Sequence, residues 1–406
     1  MAEKKSSFAA LAKSELSPQE KLMKVKKGEH TFFIGLPKEI AYQENRISLT
    51  PDAVALLVNR GHDVWVESKA GDGSKFSDKQ YSEAGAKIVY SPQEVYKADV
   101  ILKIEPPTVE ELEHFRPGQT LISALQLGHT DPSFIHALLR KRVTALAYEF
   151  IEDKVGGMPI IRALSEIAGN AVVSIAAQFL SNIDKGKGII LGGITGVPPT
   201  RIVIIGAGTV AENAARAALA MGADVRVFDN HLYKLRRLKH LLGHQIYTST
   251  IDTYTLTQAL KTADVVIGAL RAEKGRVRHV VSEEMVQGMK ENSLILDLSI
   301  DQGGCIATSE ITNHNKPTFK KYGVTHYCVP NIASRVAHTA TTALSNIFTP
   351  TILRASEEGG VEEMIFSHKW FMKGVYAYKG SLVSESVARK FKMKHKSIEL
   401  LLAVRM

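Results

Sequence analysis

The sequence predicts an α/β protein made of two sets of alternating strands and helices, joined by one long helix. Three observations predict it. Apolar, strand-like runs alternate with helical patterns from Thr31 to about Pro107. A single long helical pattern rich in Ala and Ile fills 158–180. A second alternation then opens with "TRIVIIGAGTVA" at 200–211. Repeated strand–helix–strand units of this kind imply parallel sheets with covered faces.

"TFFIGLPKEI" reads as a strand running into a Pro-marked loop. "TPDAVALLVNRGHD" reads as a helix with Thr50 as N-cap, Pro51 at the first helical position and Gly61 ending it. "VWVES", "SDKQYSEAGAK", "IVY" and "SPQEVYKA" continue the alternation, and "DVILKIEPP" is an apolar strand broken at Pro106. The long pattern from Met158 to Leu180 is apolar on most sides and suits a spine between domains. "KGKGIILGGITGVPP" reads as a short glycine-rich hairpin. The second α/β unit runs to about "THYCVPNI". The tail from His338 onward reads as helical, with no new strand–helix–strand series, packing back on the first unit.

The chain has 406 residues, 45% of them hydrophobic, enough for two or three domains. No run of about 18 apolar residues stands out, so no membrane-spanning helix is expected. The N-terminus lacks the apolar core of a secretory signal. Two cysteines, Cys305 and Cys328, form no disulfide framework. A cytoplasmic protein is expected. The net charge of +9 gathers at the chain ends, in residues 1–30 and in "RKFKMKHK" at 389–396, as solvated tails do. No nucleic-acid-binding motif accompanies it. Histidines are scattered without ligand spacing, so no metal site is expected.

"GAGTVA" spans Gly206 to Ala211. It follows the strand "RIVII", opens a helix, and is followed by Asp229 at the end of "DVRVFD". Gly206 permits the tight turn, Gly208 lets backbone approach a pyrophosphate, and Ala211 lets helix and strand pack closely. Asp229 would accept from ribose hydroxyls, which favours NAD over NADP; a flavin domain usually carries this turn at the N-terminus, and here it is central. His231 and Lys234 lie near that acid.

In "LISALQLGHTD", at 121–131, an apolar strand ends in Gln126, His129 and Asp131. Polar groups at the carboxyl end of a buried strand are where α/β enzymes keep their chemistry.

Further stretches carry a resemblance: "GLPKEIAYQENRISLTP", "KAGDGSKFSD", "VILKIEPP", "LSEIAG", "LGGITGVPP", "DLSIDQGGC", "HYCVPN" and "YKGSLVSESVA". Together with the dinucleotide turn they resemble the alanine dehydrogenase family, whose relatives include the NAD-binding component of transhydrogenase. The resemblance covers Thr31 to about Val387. It implies two Rossmann-like domains: a discontinuous substrate domain with an inserted NAD-binding domain, joined by the long helix. The expected division is 1–30 as an appendage, 31–160 as the first part of the substrate domain, 161–337 as the NAD domain, and 338–406 as the return. A homohexamer is also implied.

The implied chemistry is reversible, NAD-dependent oxidative deamination of L-alanine or a similar small amino acid. Arg46 matches the family's carboxylate-binding arginine, and its planar fork suits that task. Lys103 matches the lysine that binds substrate and steadies the developing oxygen. Asp301 matches the aspartate that orders the amino group and water. Ser165 and Asn331 match cofactor-contacting positions, and the backbone near Leu270 should line the nicotinamide pocket. The resemblance calls for a histidine where this chain has Gln126, which cannot titrate near neutrality. Either His129 takes over the proton, or it is a loop histidine capping "DPSFIHALLRK", with water or Lys103 carrying the proton. "NIASRVAHTATTA" and Glu310 also depart from the family pattern. Two other readings stay open: reductive coupling of a 2-oxo acid with an amine, as in opine- and saccharopine-type enzymes, and a non-catalytic NAD-binding protein. A transhydrogenase subunit is disfavoured by "DLSIDQGGC".

Overall fold

The computed structural model describes residues 29–271 and 278–403; the expected appendage falls almost wholly outside them. The first alternation becomes β1 (Phe33–Leu36), α1 (Pro51–Asn59), β2 (Asp63–Glu67), α2 (Asp78–Glu83), β3 (Lys87–Val89), α3 (Pro92–Val95), β4 (Val100–Leu102), α4 (Val109–Leu112), β5 (Thr120–Ser123), α5 (Pro132–Arg140) and β6 (Thr144–Ala147). Local chemistry sets the ends. Thr50 caps α1 by accepting from the Ala53 N–H at 3.3 Å, ahead of Pro51 at the first turn. Ser77 and Thr108 each close a reciprocal capping box, with Gln80 and Glu111.

The strands lie in the order β3-β2-β1-β4-β5-β6, all parallel. The order reverses between β1 and β4, so a crevice opens at their carboxyl ends. The tail from His338 is not only helical. After α11 (Ala337–Glu357), α12 (Val361–Ser367) and α13 (Lys369–Met372) it supplies β14 (Val375–Tyr378) and β15 (Ser381–Leu382), and then α14 (Glu385–Phe391). β14 runs antiparallel beside β6, so the chain end does return to the first sheet. A four-residue run such as "VYAY", paired by β6 on one side and β15 on the other, reads as a strand only once those neighbours are known, which is why periodicity missed it.

The long helix α6 (Pro159–Leu180) buries Ile160 in the core of the first sheet and Val172, Val173, Ala176 and Leu180 in that of the second. By length and composition it could cross a bilayer; here it packs on the helix of the glycine turn and on α11. "LGGITGVPP" makes one isolated bridge, Ile194 to Val197, rather than a hairpin of strands.

The second unit contains β7 (Arg201–Ile205), α7 (Thr209–Ala220), β8 (Asp224–Phe228), α8 (Leu232–Leu242), β9 (Tyr247–Ser249), α9 (Thr253–Thr262), β10 (Val265–Gly268), α10 (Glu283–Gln287), β11 (Leu294–Asp297), β12 (Thr318–Lys321) and β13 (Val324–Tyr327). Its order is β12-β13-β11-β10-β7-β8-β9, parallel except for the β12 edge. It too reverses, between β7 and β10, which puts a second crevice at the glycine turn.

Candidate active site

At the second crevice the backbone sets the geometry. Gly206 has φ +112, and a Cβ there would lie 2.4 Å from the Ala269 carbonyl oxygen, so no other residue fits the turn. Gly208 is the N-cap of α7 and offers no side chain to it; a Cβ at Gly208 would meet nothing within 4 Å. The first N–H groups of α7 therefore face open space, as an anion requires. Ala211 is fully buried, and α6 passes so near that a Cβ on Gly169 would sit 2.5 Å from the Val210 carbonyl oxygen. Asp229, at the end of β8, accepts from the Ala207 N–H at 2.8 Å and from the His231 N–H at 2.7 Å, which ties the acid to the turn. The Leu270 carbonyl accepts from the Ser299 hydroxyl at 2.8 Å, and Ser165 is half-buried on α6. Glycines at the points of close approach, free helix N–H groups and a carboxylate beside them fit a dinucleotide.

The first crevice is built from charges. Arg46 is 4% exposed and meets Glu44 twice, Nε to Oε1 at 2.8 Å and Nη2 to Oε2 at 2.5 Å. Nη2 also reaches Glu105 at 3.4 Å. Nη1 donates to no protein acceptor among the described residues. Burial works against the Glu44 carboxylate, but Arg46 and the Asn331 side-chain amide, 2.7 Å from Oε2, hold its pKa below the ordinary value. The loop itself is pinned by hydroxyls. Ser334 accepts from the Asn45 N–H at 2.9 Å, Thr341 from Ile47 at 3.0 Å, and Ser345 from Thr50 at 3.1 Å.

Lys103 directly follows β4 and is buried. On β4, Val100, Leu102 and Ile104 face one core and Ile101 the other, and Lys103 follows Ile101. It is 1% exposed, 2.7 Å from Glu111 and 3.4 Å from Glu39. Burial disfavours the ammonium, but the two acids more than offset that and raise its pKa. The chain bends after the strand, with the Ile104 carbonyl accepting from the Tyr148 hydroxyl at 2.8 Å and from the Ala124 N–H at 3.1 Å. Glu105 thereby turns into the crevice beside Arg46.

Gln126 stands opposite, with φ +47. Its Nε2 donates a short hydrogen bond to Glu105 Oε2. Glu149 Oε1 fixes the turn by accepting from the Leu125 and Gln126 N–H groups at 2.9 and 3.0 Å. Asn331, in "VPN", is also left-handed at φ +54; such strained positions gather at functional sites.

His129 does not cap α5. Asp131 does, accepting from the Ser133 N–H at 2.7 Å. His129 Nε2 instead lies 2.8 Å from the Asp301 carbonyl oxygen of the second unit. Asp301 is reached by solvent yet surrounded by protein. That desolvation raises its pKa, while the Asn331 backbone, His129 and Arg46 pull it the other way.

The structure thus brings Arg46, Gln126, His129, Asp301 and Asn331 to one interlobe crevice and leaves Lys103 beneath it. Sequence reasoning missed Glu44, Glu105, Tyr148 and Glu149. Available signals were the Glu44–Arg46 spacing and an acid two residues past Lys103 in an apolar run.

Residues 35–168 match the family model of the alanine dehydrogenase/PNT N-terminal domain, and residues 172–385 that of the C-terminal domain. Alanine dehydrogenase 2 of Staphylococcus aureus (strain USA300) is 37% identical over 367 residues, 90% of this chain and 98% of that protein. Alanine dehydrogenase of Methanococcus maripaludis is 38% identical over 88% of this chain and 95% of its own length. A solved L-alanine dehydrogenase superposes with a TM-score of 0.83 at 34% identity, covering 88% of this chain and 99% of that one. A transhydrogenase from Sinorhizobium meliloti shares the fold, with a TM-score of 0.75 at 23% identity over 87% of this chain and 99% of its own. With both halves matched and relatives of this identity spanning almost their whole length, the chain belongs to the alanine dehydrogenase/PNT family.

Proposed function

We propose that this protein catalyses the reversible, NAD-dependent oxidative deamination of L-alanine or a similar small amino acid to the 2-oxo acid and ammonia. The observation that carries it is the joining of the two units at one crevice, where Asn331 binds Glu44 beside Arg46 and His129 binds the Asp301 backbone. The first sheet with its C-terminal return (31–160 and 338–406) is the substrate domain, and 161–337 the NAD domain. Gly206, Gly208, Ala211 and the start of α7 would hold the pyrophosphate. Asp229 would take the ribose hydroxyls; Ser165, Asn331 and the Leu270 backbone would flank the nicotinamide. When bound, NAD supplies the acceptor for the hydride that leaves Cα.

The chain's own residues handle the rest. Arg46 holds the substrate carboxylate through the side of its guanidinium that Glu44 leaves free, and Glu44 fixes the plane of the fork. Asp301, its pKa raised, orders the amino group and the attacking water. Lys103 serves as a positioning residue, neutralising Glu39 and Glu111 under the site.

The test is NADH oxidation by pyruvate plus ammonium, with wild type beside Asp301→Asn and Arg46→Lys. Loss of turnover in Asp301→Asn and a raised Michaelis constant for pyruvate in Arg46→Lys are expected. Tight NADH binding without turnover on any small oxo acid would defeat the reading. A second reading has one observation behind it: Glu44, Glu105 and Asp301 leave the crevice rich in acid around one arginine, which suits a larger amine. Turnover of pyruvate with amino acids in place of ammonium would favour that coupling reaction.

A further inference from the structure

We propose that Glu105 is the residue that exchanges the proton with the reacting substrate, with Gln126 as its positioning residue; this rests on the deamination chemistry proposed above. The geometry is specific. Glu105 Oε2 accepts from Gln126 Nε2, and Oε1 lies 3.4 Å from Arg46 Nη2. The side chain is 13% exposed, open only to the crevice. A substrate carboxylate held by Arg46 therefore has this carboxyl beside the same guanidinium, on which Glu44 is already engaged twice. The Gln126 backbone is itself held, its N–H donating to Glu149 and its carbonyl accepting from the Thr130 hydroxyl, which sets where its side-chain amide starts. An amide cannot shuttle protons, but it orients a carboxyl that can.

Titratable groups face Glu105 from the neighbouring elements: Glu39 after β1, Glu44 and Arg46 in the next loop, and the neutral Tyr148 phenol after β6. Burial raises the Glu105 pKa; Arg46 opposes this while Glu44 and Glu39 reinforce it, and the result is about 8. A group so poised is efficient in both directions near neutrality.

In the hydrolytic half-reaction, water attacks the carbon of the protonated imine (iminium) left once hydride has gone from Cα. The C–O bond forms, the C=N pair moves to nitrogen, and the water's proton goes to the Glu105 carboxylate. Glu105 then returns that proton to the amine nitrogen. The C–N bond breaks with its electron pair, ammonia leaves, and the hydroxyl O–H pair becomes the C=O bond. The last proton passes through Glu105 to solvent.

The experiment measures kcat/KM for L-alanine against pH in wild type, Glu105→Gln and Glu105→Asp, with NADH affinity by fluorescence and carboxyl protonation by infrared difference spectra. Wild type should show a limb near pH 8 and a carboxyl band vanishing over the same range. Glu105→Gln should lose band and limb, bind NADH unchanged, and turn over roughly 10²–10⁴-fold more slowly. Glu105→Asp should keep a limb at reduced rate. Near-wild-type turnover in Glu105→Gln, or no carboxyl titrating between about pH 7 and 9 in wild type (a measurement that needs no variant to fold), overturns the assignment alone. Wild type that reduces no NAD with L-alanine overturns the deamination reading, and this assignment with it.

Discussion

The two crevices are topologically alike, each at the reversal point of a parallel sheet, yet they are built from different materials. At the second sheet the site is backbone: Gly206 and Gly208, the opening of α7, and one acid. At the first it is side chains: an arginine, several buried carboxylates, a lysine and an amide. A backbone site forces glycine at fixed spacings, so few substitutions survive there. A side-chain site can exchange one charge arrangement for another while keeping its walls. Gln126, where the resemblance calls for a histidine, and its partner Glu105 lie in the second kind.

The largest expected effect breaks the side-chain site. Arg46→Ala leaves Glu44, 1% exposed, without its partner and should destabilise the fold by about 3–5 kcal/mol. It should also abolish measurable alanine turnover. Urea denaturation and steady-state assays check both. Arg46→Lys keeps the charge without the fork and should recover most of the stability but little of the activity.

Lys103→Met comes next, and it separates a positioning lysine from a catalytic one. Two acids, 5% and 10% exposed, lose their cation, for a loss of roughly 3 kcal/mol. Whatever enzyme stays folded should keep its Michaelis constant for pyruvate. The folded pKa of Lys103 is raised, so its contribution is complete below the unfolded value of about 10.4 and lost as pH climbs through the higher folded one. Wild type should therefore show an alkaline drop in urea stability that Lys103→Met lacks. A folded, fully stable variant with no turnover would restore the catalytic role.

The glycines offer a paired test within the backbone site. Gly206→Ala forces a Cβ to within 2.4 Å of the Ala269 carbonyl oxygen at φ +112 and should cost about 1–3 kcal/mol. Gly208→Ala meets no protein atom within 4 Å, so its stability should stay within about 0.5 kcal/mol of wild type. Its NADH affinity, read by fluorescence titration, should fall about tenfold, because the methyl group enters the space offered to the pyrophosphate.

This contrast also explains what could be read in the sequence. The glycine turn, the long helix, the cap at Thr50 and the alternation of both sheets rest on local chemistry, and all are legible. The place of Lys103 rests on one bend. Strand parity keeps it facing the core of Ile101, and the turn at Ile104 releases Glu105 into the crevice. A pattern of residue types shows an unusual lysine in an apolar run but not where the strand stops. The pairs Asn331–Glu44 and His129–Asp301 join residues 287 and 172 positions apart, beyond any local signal.

The smallest expected effect decides between two roles for His129. Its imidazole touches the Asp301 backbone carbonyl, not the carboxylate and not the Glu105–Gln126 pair. His129→Ala removes one hydrogen bond between the two units, worth about 0.5–1.5 kcal/mol. That corresponds to a loss of roughly 2- to 12-fold in kcat if the bond steadies Asp301 during turnover. The pH limb near 8, assigned to Glu105, should be unmoved. Were the imidazole the displaced base, the loss would reach roughly 10²–10⁴-fold, and wild type would carry a second limb that vanishes with the substitution. The pH profiles of wild type and His129→Ala distinguish a histidine that fastens the crevice from one that works in it.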